Sequence, residues 1–368
     1  MGRKTKNSLS LRLLTNYYKI RRIIRGKLGL QKTEYVWQRY DYYKKMWRDG
    51  ARDIGADFKE WNNNIWEVSL DGKSTRISGW LVELDNPVTL NIAGNKILTY
   101  KLLEEAGLAV PPYAIFSIDN LEKLEEFMLT QKGMFVVKPA IGTGSGRGVT
   151  THIQTFREAR KAAALAAGYG SDKLLVELLI PGEVYRLLYL GGDLLFASRR
   201  NGVWLKGNGA STIEELIAEK NKLRQLNNST MRSPIIPDLD MKATLDVQNL
   251  TLKTIAGKGQ RMLIKSVDNK MADKEEIRTV YDENVTHLIG AQLKEEGAKA
   301  ARAVHSEFLG VDIITRDMTV GLAEGGGIIG EVNTTPGMHH HINLKNSEHT
   351  PSAVQHVLRY LLENSWSH

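Results

Sequence analysis

A chain of 368 residues without a single cysteine has no disulfide, no thiolate metal site and no sulfur nucleophile. Its length suffices for two or three domains, and its apolar and charged fractions are those of an ordinary soluble protein. The net charge of +8 sits in one place: residues 1–32 carry Arg3, Lys4, Lys6, Arg12, Lys19, Arg21, Arg22, Arg25, Lys27 and Lys32 and no acid. The body is therefore slightly acidic, and the basicity is not the footprint of a specific nucleic-acid binder. No apolar run reaches the roughly 20 residues of a membrane span. The start lacks the apolar stretch of a secretory signal, so a cytoplasmic enzyme is expected.

Within the arm of residues 1–32, Leu9, Leu13, Tyr17, Ile20 and Ile24 recur three or four apart with bases between them. That spacing predicts a basic amphipathic helix over Ser8–Leu28. Such a helix either docks on its own protein or an oligomer partner, or lies on an anionic membrane or polymer. Residues 33–90 form a small aromatic-rich domain. Glu34–Trp61 reads as a helix or a pair, and Trp66–Leu70 and Ser78–Val82 as strands joined through Asp71-Gly72. Asn86-Pro87 marks a boundary. A lobe follows over residues 91–178, with helices at Asn95–Gly107, Asp119–Thr130 and Phe156–Ala167. The last part, 179–368, opens with the hairpin Val184–Leu190/Leu194–Arg200 turned by Gly191-Gly192. Within it, residues 224–285 read as a lid-like insertion. A helix over Gln292–Phe308 leads to the strand of Gly310–Thr315, and Ser352–Glu363 closes the chain.

The chain is organised around Phe135-Val-Val-Lys138-Pro-Ala-Ile-Gly142-Thr-Gly144-Ser145-Gly146-Arg-Gly148. A strand ends in a lysine, and glycines follow at every second position. Little side-chain bulk and many backbone N–H groups let such a loop fold over an anion. A Walker loop and a dinucleotide-binding turn both need a helix next, whereas Val149–Ile153 reads as a strand. The unit is a strand–glycine–strand hairpin, either a plain surface hairpin or a flap over a nucleotide, and Lys138 with the acidic strand downstream favours the flap. Downstream, Glu331 and Asn333 share one face of an apolar strand, and Asp312 sits on a neighbouring one. Two carboxylates and an amide suit a hard divalent ion. Adjacent residues diverge on an extended chain, so His339-His340-His341 is not expected to form a metal site. One of them is a candidate for contacting substrate or for handling an amine proton.

Taken in order, Asn95-Lys96-x-x-Thr99, Leu102-Leu103-x-x-Ala106-Gly107, Val137-Lys138-Pro139 with its glycine loop, Glu177-x-x-x-Pro181-Gly182-x-x-Tyr185-Arg186, Gly310-Val-Asp312 and Glu331-Val-Asn333-x-x-Pro336-Gly337 form a series. It resembles that of ATP-grasp ligases, in particular the ATP-grasp part of cyanophycin synthetases and related glutamate and peptide ligases, over about residues 86–345. The resemblance implies an α+β ATP-grasp fold, two lobes clasping ATP, preceded here by the small domain and the basic helix. It implies phosphate contacts from Lys96 and Lys138, closure by Gly142, Gly144, Ser145 and Gly146, adenine contacts at Glu177, Leu178, Leu179 and Ile180, and ribose contacts at Glu183. Two Mg²⁺ ions, or Mn²⁺ in their place, would sit on Asp312, Glu331 and Asn333. Arg186, Arg199 or Arg200 would neutralise the transferring phosphoryl group or a substrate carboxylate. Substrate contacts are implied for Arg186, Lys206, Gly337 and His339. Some related ligases carry an arginine two residues before the metal aspartate, where this chain has Gly310; that passes the task to Arg199 or Arg200. The activity implied is ATP-dependent joining of a carboxylate to an amine through an acyl phosphate. A small-molecule kinase and an ATP-binding, membrane-associated scaffold are the alternatives.

Overall fold

The computed structural model describes residues 2–27, 34–62, 64–142, 146–200, 202–226, 235–265, 283–342 and 353–364. Helix α1 (Gly2–Lys27) precedes α2 (Glu34–Asp53) and an antiparallel meander of β1 (Asp57–Asn62), β2 (Ile65–Leu70), β3 (Lys73–Ser78) and β4 (Leu81–Val82). Two features differ from the sequence reading. The helix stops at Asp53, and the segment up to Trp61 becomes an edge strand, because Gly55 at φ +76° reverses the chain. The partner of β2 is Lys73–Ser78 rather than the segment 78–82. Asp71 and Gly72, at φ +50° and +77°, make the tight turn that Asp-Gly favours, and Gly79 at φ +61° ends the returning strand.

Next come α3 (Pro87–Ala93) and α4 (Lys96–Glu105), whose first turns are capped by the side chains of Asn86 and Asn95. The central lobe holds β5 (Tyr113–Phe116), α5 (Glu122–Thr130), β6 (Phe135–Pro139), β7 (Thr150–Ile153), α6 (Phe156–Gly168) and β8 (Leu174–Leu178), with strand order β5-β8-β6-β7. Alternation sorts its residues. Phe135, Val137, Leu174 and Val176 pack with α5 and α6 residues in one core, which leaves Lys138 and Glu177 on the other face.

The second lobe contains β9 (Glu183–Leu190), β10 (Asp193–Arg200), β11 (Val203–Lys206), α7 (Ile213–Leu226), α8 (Leu239–Asp246), β12 (Arg261–Lys265), β13 (Glu283–Asn284), α9 (Ala291–Val304), β14 (Phe308–Thr315), β15 (Ile328–Thr334), α10 (His339–Ile342) and α11 (Ala353–Glu363). Its five-stranded sheet runs β13-β10-β9-β14-β15. Tyr185, Leu187 and Tyr189 face the core shared with α9, while Leu188 and Leu190 face the core of α2, the meander and α11. The paired strands β11 and β12, with α7 and α8, form an insertion with its own core from Val203 to Ile264.

Helix α1 docks on α6 through Leu11 and Thr15, both buried, and through Tyr18, whose Cβ approaches Gly168 so closely that a methyl there would lie 3.0 Å away. Arg12 adds an exposed ion pair to Asp119 at 2.8 Å. The apolar stripe read from the sequence is not the docked face: Leu9 and Leu13 are each 62% exposed, and Tyr17, Ile20 and Ile24 are exposed beside them.

Candidate active site

The central lobe contributes a buried cation with its support. Lys138 Nζ lies 2.7 Å from Glu177 Oε1 on the neighbouring strand and donates to Tyr100 Oη at 3.0 Å. Tyr100 Oη in turn lies 2.9 Å from Glu177 Oε1 and 2.8 Å from the Gly330 carbonyl, and its one hydrogen serves one of them at a time. Burial, then the charge of Glu177, push this hydroxyl well above its ordinary value, so it stays protonated. Sequence reasoning missed Tyr100. The available signal was its position four residues after Lys96, on the same face of α4. Lys96 opens that helix, and its N–H donates to the Ala140 carbonyl at 3.0 Å, which fixes the helix start against the root of the glycine hairpin. Its Nζ reaches across to Glu331 Oε1 at 3.0 Å.

The second lobe supplies one face of β9, β14 and β15. Asp312 is registered opposite Arg186 on one side and Glu331 on the other, and Asn333 opposite Gly310. Arg186 grips the Asp312 carboxylate with Nε at 2.6 Å and with its second guanidinium nitrogen. Arg200 and the Asn333 amide each reach Asp312 Oδ2 at 3.4 Å. Burial alone would raise the Glu331 carboxyl, but the charges of Lys96, Lys138 and Arg186 hold it at about 2. Among the described residues no cluster of three or more histidine, aspartate or glutamate side chains suits a metal. The donor set is two carboxylates and an amide, oxygen only on the ligating side, which fits a hard divalent ion in kind. To hold one, Asp312 would have to yield an arginine. Lys96, Lys138, Arg186 and Arg200 outnumber Glu177, Asp312 and Glu331, an imbalance that a polyphosphate would offset.

Strand alternation separates the two neighbouring arginines. Arg200 joins Asp312, whereas Arg199 points to the opposite face, 3.4 Å from Glu183 and over the Tyr185 ring. Glu183 is held there too, accepting from Tyr185 Oη at 2.7 Å. In the reaction proposed below, Arg200→Ala should lower turnover by about 100-fold, and Arg199→Ala by less than about threefold, in steady-state assays. Equal losses would mean that the sheet does not sort them.

At the end of β8, the N–H groups of Leu178 and Leu179 already donate to Pro112 and Met134 carbonyls, and Ile180 N–H has no backbone partner among the described residues. Gly142 and Gly146 hold φ of +73° and +68° at the two ends of the glycine loop; Gly144 and Ser145 lie outside the described residues. Lys206 is exposed on β11, in the insertion. Gly337 is half-buried in the turn after β15, and the His339 side chain lies outside what is described. Of the three histidines, His341 is fully buried. Its ring meets Phe196 edge-on at 5.4 Å, and neither nitrogen has a hydrogen-bond partner among the described residues. Burial, then Arg186 and Arg200, lower its pKa well below the ordinary value, so the imidazole is neutral.

No protein-family model matches the chain. A cyanophycin synthetase of Crocosphaera subtropica is 29% identical over 271 residues, which covers 73% of this chain and 30% of that protein. A bifunctional glutathione biosynthesis protein of Enterococcus faecalis is 30% identical over 266 residues, covering 70% of this chain and 34% of that protein. The chain thus spans about a third of the length of these curated relatives. Among solved structures, a bifunctional glutathione synthetase from Pasteurella multocida matches with a TM-score of 0.55 at 22% identity, over 88% of this chain and 44% of that one. Two α+β lobes that meet across a buried lysine and an acidic strand pair give this chain the ATP-grasp fold, and its sequence resembles cyanophycin synthetases.

Proposed function

We propose that the chain is an ATP-dependent carboxylate–amine ligase that forms an amide or peptide bond on an amino acid or small peptide. The observation that carries this reading is the meeting of Lys96 and Lys138 with Asp312, Glu331 and Asn333 beside two inward arginines. In this reading ATP lies between the lobes, its base against Leu178–Ile180, where Ile180 N–H is the donor on offer. Lys96 and Lys138 neutralise the phosphates, and the loop of Gly142–Gly146 closes over them. Asp312, Glu331 and Asn333 hold two Mg²⁺ ions, or Mn²⁺, which when bound supply charge stabilisation to the transferring phosphoryl group. Arg186 and Arg200 orient the substrate carboxylate, whose oxygen takes the γ-phosphoryl group of ATP and releases ADP. An amine then attacks the acyl carbon, phosphate leaves, and the amine loses a proton. No nucleophilic side chain takes part; positioning and charge do the catalysis. The test is a screen of ADP and phosphate release across amino acids and dipeptides, with mass spectrometry of products. An amide product with ADP is expected. A stably phosphorylated substrate would favour a kinase instead.

The same reading sets the enzyme in the cytoplasm, at an anionic membrane face through residues 1–32. The outward stripe of α1 favours this. Projected down the helix, Arg21 borders that stripe on one side and Arg12 and Lys19 on the other, the pattern of a helix lying in a lipid interface. Two copies pairing through the stripe would set bases against bases, with no acid in residues 1–32 to relieve them. No helix among the described residues is long and apolar enough to cross a membrane. The chain should co-sediment with phosphatidylserine vesicles, and Leu13→Glu with Ile20→Glu should weaken this by about tenfold or more. A homodimer dissociated by the same substitutions, without vesicle binding, would replace the membrane with a second copy.

A further inference from the structure

A cavity of about 680 Å³ lies apart from the lysine–aspartate cluster, and none of Lys96, Lys138, Arg186, Asp312 or Glu331 lines it. Four parts of the chain enclose it: the inner side of α1, the root of the glycine hairpin at Gly148 and Val149, the end of α6, and the α8 region of the insertion. Its size is that of a small-molecule site. We propose that this cavity is a second ligand site, which takes from solution a small anion carried on an apolar chain and transmits its occupancy to the hairpin.

The chemistry of the lining selects that class. The walls are largely apolar, with Val149, Leu165, Leu239, Met241, Leu245 and Leu250 among them. The acids on the lining are committed. Asp238 pairs with Lys265 at 2.6 Å, Asp246 with Lys242 at 2.5 Å, and Asp240 Oδ1 accepts from the Thr151 N–H and hydroxyl at 3.0 and 2.6 Å. Arg21 and Lys253, by contrast, line the cavity with no acidic partner among the described residues. Positive charge is therefore what the cavity offers to an occupant. Asp240 adds a second signal. It is 1% exposed, and its Oδ2 has no hydrogen-bond partner among the described residues. Burial raises its pKa above the ordinary aspartate value, against the opposing charge of Lys265. A buried carboxyl oxygen without a partner, two cations without acidic partners and an apolar wall describe a site for an alkyl phosphate or a chain carboxylate.

Transmission follows from who holds the hairpin. Asp240 grips Thr151 at the start of the returning strand β7, and the same aspartate lines the cavity. At the root, Gly148 has φ +74°, and a Cβ there would lie 3.0 Å from both Pro139 and Tyr169. An occupant touching Gly148, Val149 and Asp240 therefore presses on the base of the loop that covers ATP in the proposed reaction. By linkage, ATP and the second ligand then change each other's affinity by the same factor.

The site itself does not rest on the ligase reading, because binding is read without turnover. The experiment is calorimetric titration of the full chain with monomeric decyl phosphate, with inorganic phosphate and decanol as controls. Saturable one-to-one binding of decyl phosphate is expected, about tenfold or more tighter than either control. The double variant Arg21→Glu/Lys253→Glu should weaken it by about tenfold or more, and Met241→Trp, which fills the cavity, should do likewise. With a saturating non-hydrolysable ATP analogue present, decyl phosphate should still bind saturably one-to-one, with its affinity shifted by about twofold or more; loss of that binding would place decyl phosphate in the ATP site and overturn the proposal. Equal binding of inorganic phosphate, or no loss in the double variant, would overturn the site. Loss in Leu13→Glu would assign the amphiphile to the outer stripe of α1 and overturn it as well. An unchanged affinity with the ATP analogue would overturn the transmission.

Discussion

Lys138→Met should remove ATP turnover and unsettle the fold together. The side chain is buried beside an equally buried Glu177, 2.7 Å away, and Tyr100 is the only other polar partner described for the pair. Without the ammonium, Glu177 is left as an uncompensated charge in the interior, at a cost of about 3–5 kcal/mol. Loss of the proposed phosphate contact should lower turnover by about 100-fold to 1,000-fold. The double variant Lys138→Met/Glu177→Leu separates the two effects. Replacing a buried pair by apolar residues is often neutral, so its urea midpoint should return most of the way to wild type while turnover stays lost. A single variant with wild-type stability would show that Glu177 is not held by this lysine. A double variant with restored turnover would remove Lys138 from the site.

Asp312→Asn should do the reverse: keep the fold and lose the reaction. Asparagine preserves the shape but keeps one acceptor oxygen where the carboxylate offers Arg186 two, so the unfolding free energy should fall by about 1–3 kcal/mol. What disappears is the negative charge that a divalent ion needs and that two inward guanidiniums are set against. Turnover should fall by about 1,000-fold, with a matching rise in the Mg²⁺ concentration needed for half-maximal rate. Asp312→Ala should additionally destabilise, since Arg186 is itself buried. Full activity in Asp312→Asn would make Asp312 a structural anchor for Arg186 and nothing more.

How much of this was legible beforehand depended on the kind of signal. Lys138, Asp312, Glu331 and Asn333 stand out because a charged or amide side chain on an apolar strand has no cheap explanation. Alternation then places Glu331 with Asn333, and the register sets the two opposite Asp312 and Gly310 of the neighbouring strand. The same alternation could have told Arg199 from Arg200, had the register of β10 against β9 been known; a one-residue slip exchanges them. Tyr100 stayed hidden because a tyrosine among leucines on a helix looks like core, and it is core, apart from its hydroxyl. For the small domain, aromatic density misled: Phe58 and Trp61 suit a helix face and an edge strand alike, and only Gly55 signals the break. The docked face of α1 could not be read from periodicity at all, because the hydrophobic stripe faces out and the contact is made by a leucine, a threonine and a glycine neighbour.

The core that α2 and the meander share with α11 has a consequence for how the chain is made. Trp47 and Leu361 belong to one hydrophobic cluster, and Gly50 comes so close to Val354 that an added methyl would sit 2.4 Å from it. The leading domain is synthesised early, yet its partner helix emerges on the order of tens of seconds later, at ribosomal rates of about 5–20 residues per second. During that interval Tyr43, Trp47 and Trp66 lack the packing that α11 supplies, so nascent chains stalled before residue 353 should bind a general chaperone and those that contain residues 353–364 should bind it less.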